Sequence, residues 1–356
     1  MAKMKKILFV AFPNSIHTAR WINQLENSEY EIHLISSNDA LNYCEELKNV
    51  VYHKYRTGIG KVFIKPAKST ILHKLNNSLN KFICIFFSAY SILMQNTVSF
   101  IENRQPGNAM LKVIKPTELK KAKWLKKKIK SIKPVIVHSL ETQHAGYLVQ
   151  KAKQLSGSRF PLWIHSNWGA DIHLFGRLGN HREKIAEVLS NCDLYLCECL
   201  RDLALARKFG YKGSIVEPYP NTGGLDIEQA IILRSKGKTS ERRIIALKGY
   251  QGWAGRALTG IRALERCADI LNGYEIAIFL GFSIPEVVLA GELLEEKTGI
   301  KVHILPMVSH EEMLKLHGRS RISIGLSITD AISTSLLEAM AMGSFPIQSS
   351  SSCADE

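Results

Sequence analysis

The chain has 356 residues, more than one ordinary domain, so two domains of roughly 150–200 residues are expected. Its 46% hydrophobic content supplies a packed core and excludes a disordered chain. A formal net charge of +15 calls for an anionic partner, whether nucleic acid, an acidic lipid surface or a phosphorylated substrate.

Lys3, Lys5 and Lys6 precede only a short apolar run, so no secretory leader is expected. Ile7 to Ala11 is the continuous apolar pattern of a parallel strand covered on both faces. Pro13-Asn14-Ser15 break it, Ala19, Ile22 and Leu25 mark a helix, and Glu31 to Ile35 is the next strand. This βαβ unit opens an α/β domain. The longest apolar run, Phe82 to Met94, is shorter than the ~20 residues that span a bilayer, and reads as a core helix or an interfacial segment. Residues 55–115 hold no specific motif. Lys115 to Lys133 carries nine lysines and one glutamate, with Leu119, Trp124, Leu125 and Ile129 on one side. It is most simply a solvated crossover helix; the sharper reading is adhesion to an acidic membrane surface. No helix-turn-helix, zinc finger or aromatic RNA-binding strand accompanies the charge, so nucleic acid is not an expected partner.

Further strands are expected at Val135–Val137, Leu162–Ile164, Leu194–Leu196 and Ser214–Val216, with helices at Glu183–Leu189 and Leu203–Phe209. Histidines recur just past strand ends: His17 with Asn14, His138, and His165 with Asp171. Three histidines on one sheet edge point to a lined cleft. The seven cysteines are odd in number and irregular, which suits free thiols in a reducing cytoplasm. Cys192, Cys197 and Cys199 cluster but lack paired C-x-x-C spacing, so no metal is expected.

Glu217 to Gly224 is rich in turn formers and reads as a linker, dividing the chain into domains 1–220 and 221–356. Beyond it, strands are expected at Ile244–Leu247, Glu275–Leu280, Val302–Leu305, Ile322–Leu326 and Phe345–Ile347, with helices at Leu258–Leu271, Pro285–Thr298 and His310–His317 between them. The loop Lys248 to Arg256, with Gly249, Gly252 and Gly255, follows a strand and precedes a helix. Its glycines admit phosphate, and Lys248 and Arg256 bring positive charge. It is neither a G-x-G-x-x-G fingerprint nor a P-loop. Asp330 then leads into Ser333-Thr334-Ser335 at a helix start, and Glu338 follows eight positions after Asp330 in a helix ending at Gly343. Backbone N–H groups at the helix start suit an anion, and the flanking carboxylates suit hydroxyls. Glu338 sits among apolar Leu336, Leu337, Ala339 and Met340, so it needs a partner or a ligand.

At Asp330-x7-Glu338-Ala-Met-Ala-Met-Gly343-Ser-Phe-Pro346 the chain resembles the retaining GT-B-fold glycosyltransferases of the family 4 type. Pro13–Leu25, His165–Asp171 and Lys248–Arg256 also look like that family. The resemblance implies two Rossmann-like domains facing a cleft, an acceptor side in the first and a nucleotide-sugar donor in the second. It implies that Glu338 takes the ribose hydroxyls and Asp330 those of the transferred sugar. Ser333, Thr334 and Ser335, with Lys248, Gly249, Gly252 and Arg256, then hold the pyrophosphate. His165, with Asp171, faces the sugar near the reacting carbon, and Asn14, His17 and His138 lie on the acceptor side. No cofactor and no bound metal is implied.

Three departures stand out. The first acid is Asp330 where the family has Glu; the loop's second cation is displaced to Arg256; and the chain ends at Glu356, where the family continues with another strand and a returning helix. The second domain is therefore expected to be truncated, with five strands and an uncovered edge. The leading expectation is a cytoplasmic glycosyltransferase acting on a glycan or lipid-linked acceptor, with a peripheral place at the inner membrane face as its sharper form. The alternative is a catalytically impaired sugar-nucleotide-binding fragment. A GT-B-fold epimerase and a basic nucleic-acid-binding protein follow.

Overall fold

The computed structural model describes residues 4–38, 42–55, 62–64, 116–157, 159–252, 255–281 and 284–356. The apolar run Phe82 to Met94 lies outside them.

The first seven strands are β1 Lys5–Ala11, β2 Tyr30–Ser36, β3 Val50–His53, β4 Val62–Ile64, β5 Ile136–Leu140, β6 Leu162–Ser166 and β7 Leu194–Leu196. They form one sheet in the order β4-β3-β2-β1-β5-β6-β7, parallel except for β4, which runs antiparallel to β3. The apolar run at the chain start has a direct cause. Leu8 and Val10 face one side, packing with Val137, Trp163 and a helix at Pro116–Ile132, while Ile7 and Phe9 face the other, packing with Ile22 and Leu34. A strand covered on both faces has no polar side to show.

The helices of this half are α1 Ile16–Asn23, α2 Pro116–Ile132, α3 Tyr147–Ser156, α4 Gly179–Asn191 and α5 Leu200–Lys208. In α2, Ala122, Leu125, Ile129 and Ile132 are buried in the core, and Lys120, Lys123, Lys127 and Lys130 are exposed. The apolar side of the lysine-rich helix is thus spent on the sheet, as in a solvated crossover helix. No described helix is long and apolar enough to cross a membrane.

The second sheet holds β8 Ile244–Lys248, β9 Glu275–Phe279, β10 Val302–Ile304, β11 Ser320–Gly325 and β12 Phe345–Gln348, in the order β10-β9-β8-β11-β12, all parallel. Its helices are α6 Ile227–Leu233, α7 Ala257–Arg266, α8 Pro285–Thr298, α9 His310–Arg319 and α10 Thr334–Ala341. The five expected strands are present, and the edge strand β12 leaves Phe345 and Ile347 exposed. Together the two sheets make the expected α/β architecture of two Rossmann-like domains.

Three local expectations change. Ser214–Val216 is not a strand, because the Tyr211 hydroxyl occupies the free edge of β7. It accepts the Tyr195 N–H at 3.1 Å and donates to Ser214 O at 2.7 Å, taking the bonds a further strand would make. The short α6 was not anticipated; Asp226 caps it, and Ala230 packs it onto Leu314 and Met342 of the second domain. Strands β3 and β4 also escaped the sequence reading.

Candidate functional site

In open α/β sheets ligands bind outside the carboxyl ends of strands where the strand order reverses. Here the order reverses between β1 and β5 in the first sheet and between β8 and β11 in the second. The loops at those points meet. Arg20 on α1 contacts Glu338 at 3.3 Å, Thr222 in the linker bonds Thr334 at 3.1 Å, and His173 bonds Thr329 at 2.9 Å. Gly169 packs so close to the second domain that a Cβ there would lie 2.2 Å from Asp330 Oδ1.

The wall from the second domain contains most of the residues singled out there. Lys248, at the end of β8, donates from Nζ to Ser333 Oγ at 3.4 Å, and Ser333 Oγ also bonds Ser335 Oγ at 2.9 Å. Ser333 is the N-cap of α10, yet its side chain does not cap the helix. Burial lowers the Lys248 ammonium pKa, opposed by the Asp330 and Glu338 carboxylates. Asp330 shows the mirror case. Burial raises its pKa, while Lys248, the Ala331 N–H at 3.0 Å and Arg201 pull it down. Glu338 is 6% exposed, and its Oε1 takes His310 Nε2 at 2.7 Å as well as Arg20. Burial raises its pKa, but the His310 bond and charge and the Arg20 charge prevail, so the net shift is down.

The glycine loop divides. Gly252 has φ +87°, a left-handed turn position, whereas Gly249 faces Gly281, where a Cβ would lie 2.6 Å from the Gly281 Cα. Gly249 is therefore required by loop-on-loop packing, whatever else it does. Arg256 folds back onto the carbonyls of Gly252 and Gly255, the latter at 2.8 Å. The structure thus ties the Arg256 guanidinium into its own loop.

The first domain corrects the sequence reading more sharply. His165 is completely buried, bonded to Ser139 Oγ at 2.9 Å and Thr142 Oγ1 at 3.1 Å, and burial lowers its pKa to about 3. It faces the sheet interior and not the cleft. Asp171 Oδ2 accepts the N–H groups of Thr142 and Trp168, each at 2.8 Å, joining the turns after β5 and β6. Burial, and then the Glu141 carboxylate, raise its pKa. Both residues brace the site's walls. His138 is likewise enclosed, bonded to Ser166 Oγ at 2.8 Å, with its pKa lowered to about 3 by burial and then by His165. Asn14 is exposed in the turn after β1. His17 does face the cleft, its ring 5.7 Å from that of Trp168. Burial, then the Arg20 cation, lowers its pKa to about 4, and its Nδ1 is buried without a hydrogen bond.

Sequence reasoning missed three residues here. Arg20 lies one turn after His17 on the same face of α1, a spacing that was available. Besides its bond to Glu338, Arg20 has a buried Nη1 without a partner. His310 opens α9 and bonds Glu338, which nothing local announces. Glu198, just past β7, is 4% exposed and accepts the Thr222 N–H at 3.2 Å. Burial, then the Asp330 and Asp202 carboxylates, raise its pKa to about 8. Glu141 has φ 81° and ψ 146°, a region costly for a non-glycine residue, and its carboxylate accepts the N–H groups of His144 and Ala145 in a single π-helical turn.

Residues 6–80 match the family model described as glycosyl transferase 4-like. The chain matches no curated protein. Among solved structures it is similar to sucrose-phosphate synthase from Thermosynechococcus elongatus, with 11% identity, a TM-score of 0.58, and 97% of this chain and 81% of that one covered. It is also similar to alpha,alpha-trehalose 6-phosphate synthase from Burkholderia multivorans, with 9% identity, a TM-score of 0.63, and 99% and 86% covered. A third is Anabaena HepE in complex with UDP-glucose, with 12% identity, a TM-score of 0.56, and 98% and 82% covered. At these identities the likeness is one of fold, and that fold is the two-domain GT-B arrangement of glycosyltransferases.

Proposed function

We propose that the chain is a glycosyltransferase that binds a nucleotide-sugar donor between its two domains and passes the sugar to a glycan or lipid-linked acceptor with retention of configuration. The observation that carries this reading is the cluster of Lys248, Ser333 and Glu338 at the start of α10, faced by Arg20 and His17 from the first domain. Two buried polar atoms in that cluster, Arg20 Nη1 and His17 Nδ1, lack protein partners. Buried polar groups are ordinarily paired, so this cleft is one that a polar ligand completes.

On this reading Glu338 accepts the ribose hydroxyls, sharing or giving up its bonds to Arg20 and His310. Lys248 and the N–H groups opening α10 stabilise the diphosphate as its bond to the sugar breaks, and Arg20 adds charge from the opposite wall. Asp330, on the same reading, accepts sugar hydroxyls. The chain's own cations carry the phosphate charge without a bound metal. A second reading, donor binding without turnover, draws support from the enclosure of His165 and Asp171, which removes two side chains expected at the reacting carbon.

Thermal shift with a panel of nucleotide sugars tests donor binding. A true donor at about a hundredfold excess over its Kd stabilises by about 2.7 kcal/mol, raising Tm by several degrees. Glu338→Gln is expected to lose that ligand-induced rise, whatever its own starting Tm. No response from the wild type, or an equal response from the variant, refutes the assignment. Release of nucleoside diphosphate, and the anomeric configuration of any product, separate transfer from binding alone.

A further inference from the structure

The segment after β12 stays on the second domain through Ser349, Ser351 and Cys353 and reaches the first at Glu356. The Cys353 N–H donates to Ala331 O at 3.3 Å, and the Glu356 carboxylate accepts the N–H groups of Leu200 and Arg201 at 2.5 and 3.4 Å. Cys199, the N-cap residue of α5, makes no side-chain cap of its own, so Glu356 serves the opening of that helix. Cys199 and Cys353 are 0% and 6% exposed and pack with Ala331 and Ile332 in one small cluster. Their Sγ atoms and a Glu356 carboxylate oxygen lie within 4.8 Å of one another. One thiol belongs to the first domain and the other to the second. Between them they clasp the two residues that follow Asp330. The donor chemistry uses neither.

We propose that Cys199 and Cys353 form a covalent modification site, an interdomain disulfide made by exchange with a small disulfide such as oxidised glutathione. One cysteine thiolate attacks the small disulfide, breaking its S–S bond and expelling one small thiolate. The second cysteine attacks the protein sulfur of the mixed disulfide, expels the other small thiolate and closes the Cys199–Cys353 bond. The protein thiols give up two electrons and two protons, and the small disulfide becomes two thiols. Both thiols are enclosed where Glu356 meets the opening of α5, and burial raises the pKa of each, so exchange starts when that seam between the domains opens. Cys353, the more exposed of the two, reacts first, and Cys199 resolves the mixed disulfide.

Two observations favour a disulfide over a metal site. The Glu356 carboxylate is already engaged by backbone N–H groups, which leaves two sulfurs as the free pair. The neighbouring Cys197 and Cys192 point to backbone carbonyls, of Cys199 at 3.5 Å and Leu189 at 3.6 Å, and offer no further ligand.

The whole chain is incubated with oxidised glutathione or with dithiothreitol, alkylated, digested without reduction and mapped by mass spectrometry. The expected result is a Cys199–Cys353 cross-linked peptide, with alkylation at both positions reduced roughly tenfold and restored by dithiothreitol. Cys44 and Cys267, both partly exposed, stay alkylated, and Cys353→Ser gives no cross-link at Cys199. Full alkylation of both cysteines after oxidation overturns the proposal, as does pairing of either with another cysteine. So does zinc that binds the reduced protein and protects both thiols while no disulfide forms. The cross-link is read without any donor, so it stands or falls independently of the nucleotide-sugar reading.

Discussion

Glu198 shows how a single residue couples the cleft to pH. Its folded pKa of about 8 lies above the ordinary 4.5, so the folded state holds its proton more tightly than the unfolded chain. The stability that Glu198 contributes is therefore full below 4.5 and is lost as pH rises through about 8. Glu198→Gln removes the ionisable proton while keeping an acceptor for the Thr222 N–H. The variant is expected to match the wild type in unfolding free energy near pH 4 and to exceed it at pH 8 by on the order of 1–3 kcal/mol. A constant offset at both pH values refutes the assignment. Glu198 was not legible beforehand, because a carboxylate just past an edge strand reads as solvated until the second domain is laid over it.

Among elements, the turn after β6 and the loop before α10 set how closely the domains approach. A Cβ at Gly169 would lie 2.2 Å from Asp330 Oδ1 and 2.9 Å from the Ala331 N. Gly169→Ala must therefore displace the Asp330 turn or part the walls, at a cost of about 1–3 kcal/mol. Its donor-induced Tm rise is expected to shrink as well. Gly179→Ala, where a Cβ meets nothing within 4 Å, serves as the control and leaves both unchanged. The Asp330–Glu338 motif was legible because strand, helix start and glycine stop are all local. The use of Gly169 was not, because a glycine in a turn is ordinary until its neighbour is known.

For the whole molecule, the buried histidines decide acid behaviour. His17, His138 and His165 have folded pKa values of about 4, 3 and 3, below the ordinary 6.5, with burial the leading cause in each. The unfolded chain then binds more protons as pH falls, so stability is present above 6.5 and lost progressively toward 3. Tm followed across that window is expected to fall steeply, and His165→Asn is expected to flatten part of the slope. A wild-type Tm that is level from pH 6.5 to 4 contradicts the neutral, enclosed imidazoles.

The sequence by itself determined two α/β halves, five strands in the second, the position of the lysine helix and the helix start at Ser333. Each rests on periodicity or chain punctuation within a dozen residues. Only the tertiary structure decided which polar residues meet. His138, His165 and His17 all read in the chain as residues just past a strand end, yet β5 and β6 run on through the first two and packing encloses them, while the third turns to the cleft. Arg20 reaches Glu338 across 318 positions, and Cys199 meets Cys353 at the domain seam. Such contacts come from how the sheets twist and how the linker lays one domain on the other. Those are properties of packing over the whole chain, and no local spacing carries them.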